Sequence, residues 1–458
     1  MHLLLSLRES PLDVRILWSS VFLRMASFGL TNQVLTLYLK SLEVSETNIG
    51  LFMTLTLIGD TLISYTLTWY ADTIGRRTVM VLGTVMMCIS GWIFSISSNY
   101  IILLLAAIIG VISPSGDETG PFKSVEEASI AHLTPHNHRP EVFAFHGLFA
   151  TAGAALGSFV CGITVDYFHL QREWPLQSCY RLIFVMYSAI AFTKCILMLF
   201  LSPKCEVGYV DLETTTSSLL DTSDIHEEED YGSIGNNKTL KSNPSITDID
   251  NKSSSLSPTT RYYLPRLLIV FMLDSLGYGF MPSAWVVYYF KLAFAMSATG
   301  LGTLFFFTNA IDSISSLPSA YFAKTLGPVK SIIFTQAPSA LFFILIAFTG
   351  NHIMASTLLI LYCATSTMDV VPRQVLLTSI MPQEELTKVM GIVNIGKTFA
   401  RCIGPVFTGK LASHEHLNIG FIINGGCVLA ADLILGINFL SMDSDILAKT
   451  TTNILPEI

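Results

Sequence analysis

Charged residues are scarce in this sequence. Asp, Glu, Lys and Arg account for 13% of its 458 residues, whereas they account for about 25% of an ordinary soluble protein. Hydrophobic residues make up 51%. This composition excludes a soluble globular domain and predicts a protein embedded in a lipid bilayer. The formal net charge is −8, and we expect no nucleic-acid partner.

Signatures of metal sites, disulfides and catalysis are also lacking. The eight cysteines show no CxxC spacing, so we expect neither a disulfide framework nor a metal site. The stretch GPVFTGKL (Gly404 to Leu411) differs from a nucleotide-phosphate loop at its last position and follows no strand. No nucleophile and base form a convincing catalytic set. The sequence therefore predicts no cofactor, no ATP-binding domain and no enzymatic activity.

Long apolar runs recur along the chain, and a helix needs about 20 apolar residues to cross a bilayer. The runs cover 14–39, 48–70, 78–98, 101–133 with an interruption, 141–165, 180–202, 264–290, 297–322, 330–350, 354–381, 388–411 and 418–440. They predict an all-α integral membrane protein with twelve transmembrane helices. Lys and Arg are in excess in alternate loops, which predicts that both termini are cytosolic. The N-terminal stretch has no small-residue cleavage site, so we expect no removable signal peptide. Whether the membrane is the plasma membrane or a vacuolar or other endomembrane stays open.

One long polar segment divides the chain. Residues 203–262 show no apolar period and are rich in Ser, Thr, Asn and acidic residues, which is typical of a disordered linker. The predicted organisation is an N-terminal six-helix bundle (1–202), a cytosolic linker (203–262), a C-terminal six-helix bundle (263–441) and a cytosolic tail (442–458).

The two predicted bundles resemble each other in sequence. SETNIGLFMTLTLIGD, from Ser45, aligns without a gap with SATGLGTLFFFTNAID, from Ser297, and Asp60 then meets Asp312. Parallel six-span repeats with a solute site at their interface are a secondary-transporter architecture. Asp60 and Asp312 are either protonatable groups or hydrogen-bonding contacts between helices.

Adjacent glutamates in the stretch SVEEASIAHLTP raise the question of what carboxylates do in an apolar chain. When Pro135 is aligned with Pro382, Glu126 meets Arg373, one in the fourth span and the other in the tenth. Pseudo-symmetry would place them at similar depth on facing helices. They form either a salt bridge that breaks during transport or a clamp for the two ends of a zwitterion. The alternative is that Glu126 lies in a solvated extension of the fourth helix.

The fourth run also contains a helix-breaking segment. In GVISPSGDETGPFK, prolines and glycines surround Asp117 and Glu118. Irregular backbone at membrane depth is tolerated only where it is buried in protein or lines a wet cavity. We therefore expect a discontinuous fourth span, with Asp117 and Glu118 lining a site.

Ionisable residues occur inside other apolar runs. They are Arg24, Asp60, Asp274, Asp312, Asp369, Arg373, Lys397, Arg401 and Asp432. Exposed to lipid, they would together cost on the order of 25 kcal/mol, so they must face inward or pair. The candidates for substrate binding are Arg24, Asp117, Glu118, Glu126, Asp274, Asp369 and Arg373. The candidates for proton coupling are Asp60, Glu126, His146 and Asp312.

The loop after the second run, TWYADTIGRRTVMVLG, resembles the signature G-x-x-x-D-[RK]-x-G-[RK]-[RK] of the major facilitator superfamily. Asp72, Gly75, Arg76 and Arg77 match it, and Thr68 replaces its first glycine. The resemblance implies a conformational latch at these four residues. In the second copy of the loop Gly327 survives, but a lysine replaces the aspartate.

The segments SPSGDETGPFKSVEEASIA and LDSLGYGFMPSAWVVYYF are similar to a poorly characterised microbial and fungal branch of that superfamily. The resemblance implies solute transport by alternating access and fixes no substrate. We expect a monomeric secondary transporter of a small organic solute, coupled to protons. The alternative is a non-transporting receptor or scaffold of the same fold that signals through the linker.

Overall fold

The computed structural model describes residues 10–110, 112–114, 121–134, 138–206, 257–315, 318–382, 385–444 and 446. Over these residues the secondary structure is helical. The α-helices are α1 (Leu12–Ser41), α2 (Glu46–Ile74), α3 (Arg76–Ile96), α4 (Tyr100–Ile109), α5 (Pro121–Leu133), α6 (Arg139–Asp166), α7 (Leu176–Leu199), α8 (Pro258–Phe280), α9 (Ser283–Phe294), α10 (Ala298–Ser315), α11 (Ser319–Leu326), α12 (Pro328–Ile346), α13 (His352–Ser366), α14 (Val370–Ile380), α15 (Leu386–Ser413) and α16 (Ile419–Phe439).

These helices form twelve spans, which confirms the predicted fold class. Four spans are broken into two helices: the fourth (α4, α5), the seventh (α8, α9), the eighth (α10, α11) and the tenth (α13, α14). Within the described ranges, eight stretches are long and apolar enough to cross a membrane by length and composition alone. Large apolar side chains such as Trp92, Phe348 and Ile437 are exposed on the outside of the bundle, where lipid would cover them.

The fourth span is discontinuous, as the sequence predicts. The helix α4 ends at Ile109 and α5 begins at Pro121. The tenth span is its counterpart in the repeat, and there a 3₁₀ turn, Thr367–Asp369, separates α13 from α14. Discontinuous spans in corresponding positions of two repeats point to a binding site.

Glycines allow the two halves to approach closely. A Cβ atom on Gly409 of α15 would lie 2.5 Å from the carbonyl oxygen of Glu46 and 2.9 Å from Cα of Gly50, both on α2. A similar contact joins α6 and α10, because a Cβ on Gly302 would lie 2.5 Å from the carbonyl oxygen of Ser158. Any larger side chain at these positions would push the halves apart.

Hydrogen bonds also join the halves, at the end of the bundle opposite to the first residue of α1. We call this end the far side. The Thr36 hydroxyl donates to the carbonyl of Ala284 over 3.2 Å, and the Ser283 hydroxyl donates to Asn32 over 2.9 Å. These contacts lie near the end of α1 and the start of α9, so they close the molecule on the far side.

A carboxylate strengthens this closure. Asp166, the last residue of α6, accepts hydrogen bonds from the backbone N–H groups of Ala298 (3.2 Å) and Thr299 (2.7 Å). It therefore caps the first turn of α10, a helix of the other half, where the helix dipole favours a negative charge.

The structure describes both ends of the predicted linker and the start of the predicted tail. Pro203–Cys205 form a 3₁₀ turn, and α8 already begins at Pro258, because local capping by Ser202 and Ser257 orders both ends of the linker. The rest of the predicted linker, residues 207–256, lies outside the described residues. In the predicted tail, Asp443 accepts hydrogen bonds from the backbone N–H groups of Val329 (2.8 Å) and Lys330 (2.9 Å). The start of the tail is thus part of the second bundle.

Candidate functional site

A cavity of about 450 Å³ lies between the two halves. We call it the central cavity. Its polar lining includes Asn32 and His146 from the first half and Ser283, Asn309 and Asp312 from the second. Because both repeats contribute side chains, any molecule in the cavity contacts both halves at once.

A second cavity, of about 320 Å³, lies within the second half. We call it the C-half chamber. It shares Tyr278, Tyr362 and Thr367 with the lining of the central cavity, so the two spaces adjoin. Its charged lining residues are Asp274, Asp369, Arg373, Lys397 and Arg401.

Glu126 is the centre of a buried cluster in the first half. Its side chain is fully buried. The carboxylate accepts hydrogen bonds from Ser20 (2.6 Å) and Arg24 (2.9 Å) on α1, and Lys194 Nζ on α7 lies 3.5 Å away. The cluster ties α1, α5 and α7 together. Two cations around one carboxylate give the cluster an excess of positive charge.

Arg373 is the centre of the corresponding cluster in the second half. Its guanidinium donates to Asp274 of α8 over 2.8 Å and also pairs with Asp369. Gln336 of α12 donates from Nε2 to Asp369 over 2.8 Å and to Asp274 over 3.5 Å. Here two carboxylates surround one cation, so the excess charge is negative.

The two clusters occupy equivalent spans with inverted charge. The first span carries Arg24 and the seventh carries Asp274, while the fourth carries Glu126 and the tenth carries Arg373. Each charge of the two clusters is paired inside its own half, since an unpaired charge in a low-dielectric interior is very costly. Glu126 and Arg373 are therefore not paired with each other in this structure. Pseudo-symmetry makes these residues equivalent without bringing them into contact. The solvated alternative for Glu126 is wrong, because its side chain is fully buried.

The candidate substrate-binding residues divide accordingly. Asp274, Asp369 and Arg373 line the C-half chamber. Arg24 and Glu126 are absent from the lining of both cavities. Asp117 and Glu118 lie outside the described residues.

The proton-coupling candidates also occupy different environments. Asp312 lines the central cavity, and its buried Oδ1 has no hydrogen-bond partner among the described groups. His146 lines the same cavity. Asp60, the repeat partner of Asp312, is different. It is fully buried, accepts a hydrogen bond from Ser64 over 3.3 Å, and lines neither cavity.

The loop that resembles the family signature is anchored by a residue outside it. Gly75 adopts φ 102°, a backbone conformation that glycine tolerates. Glu206 accepts hydrogen bonds from the backbone N–H groups of Arg76 (2.7 Å) and Arg77 (3.1 Å) and so caps α3. The Arg76 guanidinium donates to the carbonyl of Ala128 over 3.2 Å. The Asp72 side chain lies outside the described residues.

Sequence reasoning did not nominate three residues of the clusters, Ser20, Lys194 and Gln336. Lys194 is fully buried, and the signal for it was available, since it is a lysine inside an apolar run. Gln336 carries no charge, so nothing in the sequence distinguished it from other amides. Lys397 and Arg401 were noted as buried charges, and the structure places both in the C-half chamber.

Comparisons with known proteins agree with this architecture. A sequence model of the Major Facilitator Superfamily matches residues 17–243 and 267–449. An uncharacterized membrane protein of Saccharomyces cerevisiae is 48% identical over 443 residues, which cover 95% of either chain. The quinolone resistance protein NorA of Staphylococcus aureus (strain Mu50) is 24% identical over 157 residues, 34% of this chain and 39% of that protein.

Among solved structures, a bacterial homolog of the human lysosomal transporter Spinster, inward-facing and unoccupied, is similar with a TM-score of 0.69. The alignment covers 95% of this chain and 97% of that one at 11% identity, so the likeness concerns the fold alone. Together with the match over most of the sequence, it shows that the chain belongs to the major facilitator superfamily of membrane transport proteins.

Proposed function

We propose that this protein is a secondary active transporter that moves a small organic solute across the membrane by alternating access, with protons as the coupling ion. The observation that carries the proposal is the central cavity, which is lined by both halves and closed on the far side by direct contacts between them. A solute in this position is held by both halves, so their relative movement changes which side of the membrane it can reach.

The contacts on the far side suit a reversible closure. They are neutral hydrogen bonds, a hydrogen bond from the Tyr288 hydroxyl to the Glu46 carboxylate over 3.1 Å, one helix cap and close approaches between glycines, such as that of Gly409 to Gly50. A typical intramolecular hydrogen bond contributes only about 1 kcal/mol net. A few such contacts can be broken and replaced by others at the opposite end, which is the requirement for two states of similar free energy.

Proton coupling is assigned to Asp312. A buried carboxylate oxygen without a partner in a cavity between the halves is suited to hold a proton in one state and release it in the other. Asp60 is less suited, because its side chain is fully buried and lines neither cavity.

The orientation follows from the loop charges. Arg15, Arg76 and Arg77 lie at the end where α1 begins, and we infer that this end faces the cytosol. The far side then faces the lumen or the exterior, and we infer a state that is closed on that side. We also infer that the transporter works as a monomer, because the cavity is complete within one chain.

The test is solute-driven proton movement in liposomes that contain the purified protein and a pH-sensitive dye. Pools of amino acids, peptides, organic acids, sugars and cationic drugs are added outside in turn. A pool that moves protons only when the protein is present is the expected result. Movement of a radiolabelled solute without protons would remove the coupling and keep the transport. Binding of solutes without movement of any of them would overturn transport and favour a receptor of the same fold.

A further inference from the structure

The C-half chamber is lined by both carboxylates and cations. Asp274 and Asp369 contact Arg373 near the break of the tenth span. Lys397 and Arg401 also line the chamber, and they are four residues apart on α15, so they lie on one face of that helix. The chamber therefore presents carboxylates from α8 and the 3₁₀ turn and cations from α15.

Gln336 supplies an independent indication of a ligand. Its Nε2 donates to Asp369 and Asp274, which fixes the orientation of the amide because Oε1 cannot face a carboxylate. Only 7% of the side chain is exposed, and Oε1 has no hydrogen-bond partner among the described groups. A buried acceptor without a donor costs about 1–3 kcal/mol, and a ligand with an N–H group would satisfy it.

Aromatic rings frame the same space. Arg401 lies over the ring of Tyr278, with 5.6 Å from its Cζ to the ring centroid, and Arg373 lies at the same distance from the ring of Phe271. The volume of about 320 Å³ fits a molecule the size of an amino acid or a dipeptide. The rings provide apolar contacts for its uncharged part.

We propose that the C-half chamber binds a small zwitterion, with its ammonium group toward Asp274, Asp369 and Gln336 Oε1 and its carboxylate toward Lys397 and Arg401. This inference rests on the proposed transport function and specifies the class of solute. A zwitterion brings no net charge into a buried site. It offers an ammonium group to the carboxylates of the lining and a carboxylate to the cations.

The test compares matched ligands on the purified full-length protein in detergent, with thermal stabilisation as the readout. The panel contains the standard amino acids and alanyl-alanine. Each compound that stabilises the protein is compared with its analogue lacking the amino group and its analogue lacking the carboxyl group. We expect a zwitterion to stabilise the protein, and both analogues to need at least about tenfold higher concentration for the same shift.

Variants locate the site. Lys397→Gln should raise the Kd for the zwitterion about tenfold or more and leave the analogue lacking the carboxyl group unaffected. Gln336→Leu should weaken binding of the zwitterion and of the analogue that keeps the amino group. The control is Lys410→Gln, since Lys410 is an exposed lysine on the same helix, and it should not change any of these affinities.

Three results would overturn the inference. One is that no zwitterion in the panel stabilises the protein. Another is that a solute with a single charge or none binds as tightly as the zwitterions, and the third is that the Lys397→Gln variant binds zwitterions with unchanged affinity. If a sugar, an organic acid or a cationic drug drives proton movement in liposomes while zwitterions do not bind, the zwitterion inference fails and the transport function stands.

Discussion

At the scale of residues, the charges of this protein are arranged in two buried clusters of opposite sign. Arg24 and Lys194 surround Glu126 in the first half, and Asp274 and Asp369 surround Arg373 in the second. The second cluster lines the C-half chamber, whereas Glu126, Arg24 and Lys194 are absent from the lining of both that chamber and the central cavity. We therefore expect the first cluster to stabilise the fold and the second to take part in binding.

Glu126→Gln should destabilise the protein strongly. The substitution leaves Arg24 and Lys194 as buried cations without their shared carboxylate, and removal of one partner from a buried ion pair costs about 3–5 kcal/mol. The measurement is the thermal unfolding midpoint in detergent. The double variant Glu126→Gln, Lys194→Met should recover part of the loss, because it removes one of the two cations. An unchanged midpoint for Glu126→Gln alone would contradict the assignment of a structural role.

Asp312→Asn and Asp60→Asn form a matched pair, because the repeat makes the two positions equivalent. Asp312 lines the central cavity and Asp60 does not. Asp312→Asn should abolish solute-driven proton movement and leave solute binding within about threefold, since an amide keeps the shape and cannot titrate. Asp60→Asn should keep the coupling. Coupling that survives Asp312→Asn and is lost in Asp60→Asn would reverse the assignment.

The sequence identified most of the buried charges but not their partners. A charge inside an apolar run must face inward, and this argument selected Arg24, Asp274 and Arg373 correctly. It could not decide the pairing, because the repeat relates Glu126 to Arg373 by symmetry and says nothing about distance. The partners depend on which helix faces which inside one bundle, and that is a property of the tertiary packing.

At the scale of helices, carboxylates cap the helices that begin at the membrane surfaces. Glu206 caps α3, Asp443 caps α12, and Asp166 caps α10 across the boundary between the halves. The first two stay within one half and need not break during transport. The third joins the halves on the far side, so a change of state must release it.

Asp166→Asn should make the far side open more often. The amide loses the charge that favours the first turn of α10, which contributes about 0.3–1 kcal/mol at an exposed helix end. The measurement is labelling of Ser283→Cys in sealed vesicles by a membrane-impermeant maleimide that is added on the far side of the protein only, and labelling should speed up roughly two- to fivefold for that free energy. The control is Asp443→Asn, whose cap lies within one half. Equal labelling rates for Ser283→Cys alone and for Ser283→Cys combined with Asp166→Asn would contradict the role of Asp166 in closure.

Glu385 should make stability depend on pH. It accepts hydrogen bonds from the hydroxyl of Thr260 (2.5 Å) and the backbone N–H of Ser257 (2.7 Å), which join the start of α15 to the start of α8. These hydrogen bonds, that from Thr260 first, lower the pKa of Glu385 below its ordinary value. The stabilisation is therefore present above the pKa of the unfolded chain and is lost as the pH falls through the lower pKa of the folded state.

The variant Glu385→Gln should unfold at a lower temperature than the native chain at pH 7, and the difference should shrink at pH 4 and below. The measurement is the unfolding midpoint of both proteins across that range. A difference that grows as the pH falls would show that the carboxylate is not held in its charged form.

At the scale of the whole molecule, the twelve spans were predictable because each leaves a long apolar run in the sequence. The breaks in the seventh, eighth and tenth spans were not predicted, although each has a proline at or just after the break, Pro282, Pro318 and Pro372. The tenth changes to a 3₁₀ turn at Thr367–Asp369, where Asp369 contacts Arg373. Pro372 lacks the N–H that would bond to the carbonyl of Met368, so this break also had a signal in the sequence.

The central claim is that the two halves alternate between closure on the far side and closure at the opposite end. Distances between spin labels on the two halves test it most directly, with one pair at Ser98 and Asn351 on the far side and one at Thr73 and Lys388 at the opposite end, in the protein reconstituted into lipid. The account predicts that a change of pH or addition of a transported solute lengthens one distance while it shortens the other. Distances that stay fixed at both ends under all conditions, or that change in the same direction, would contradict it.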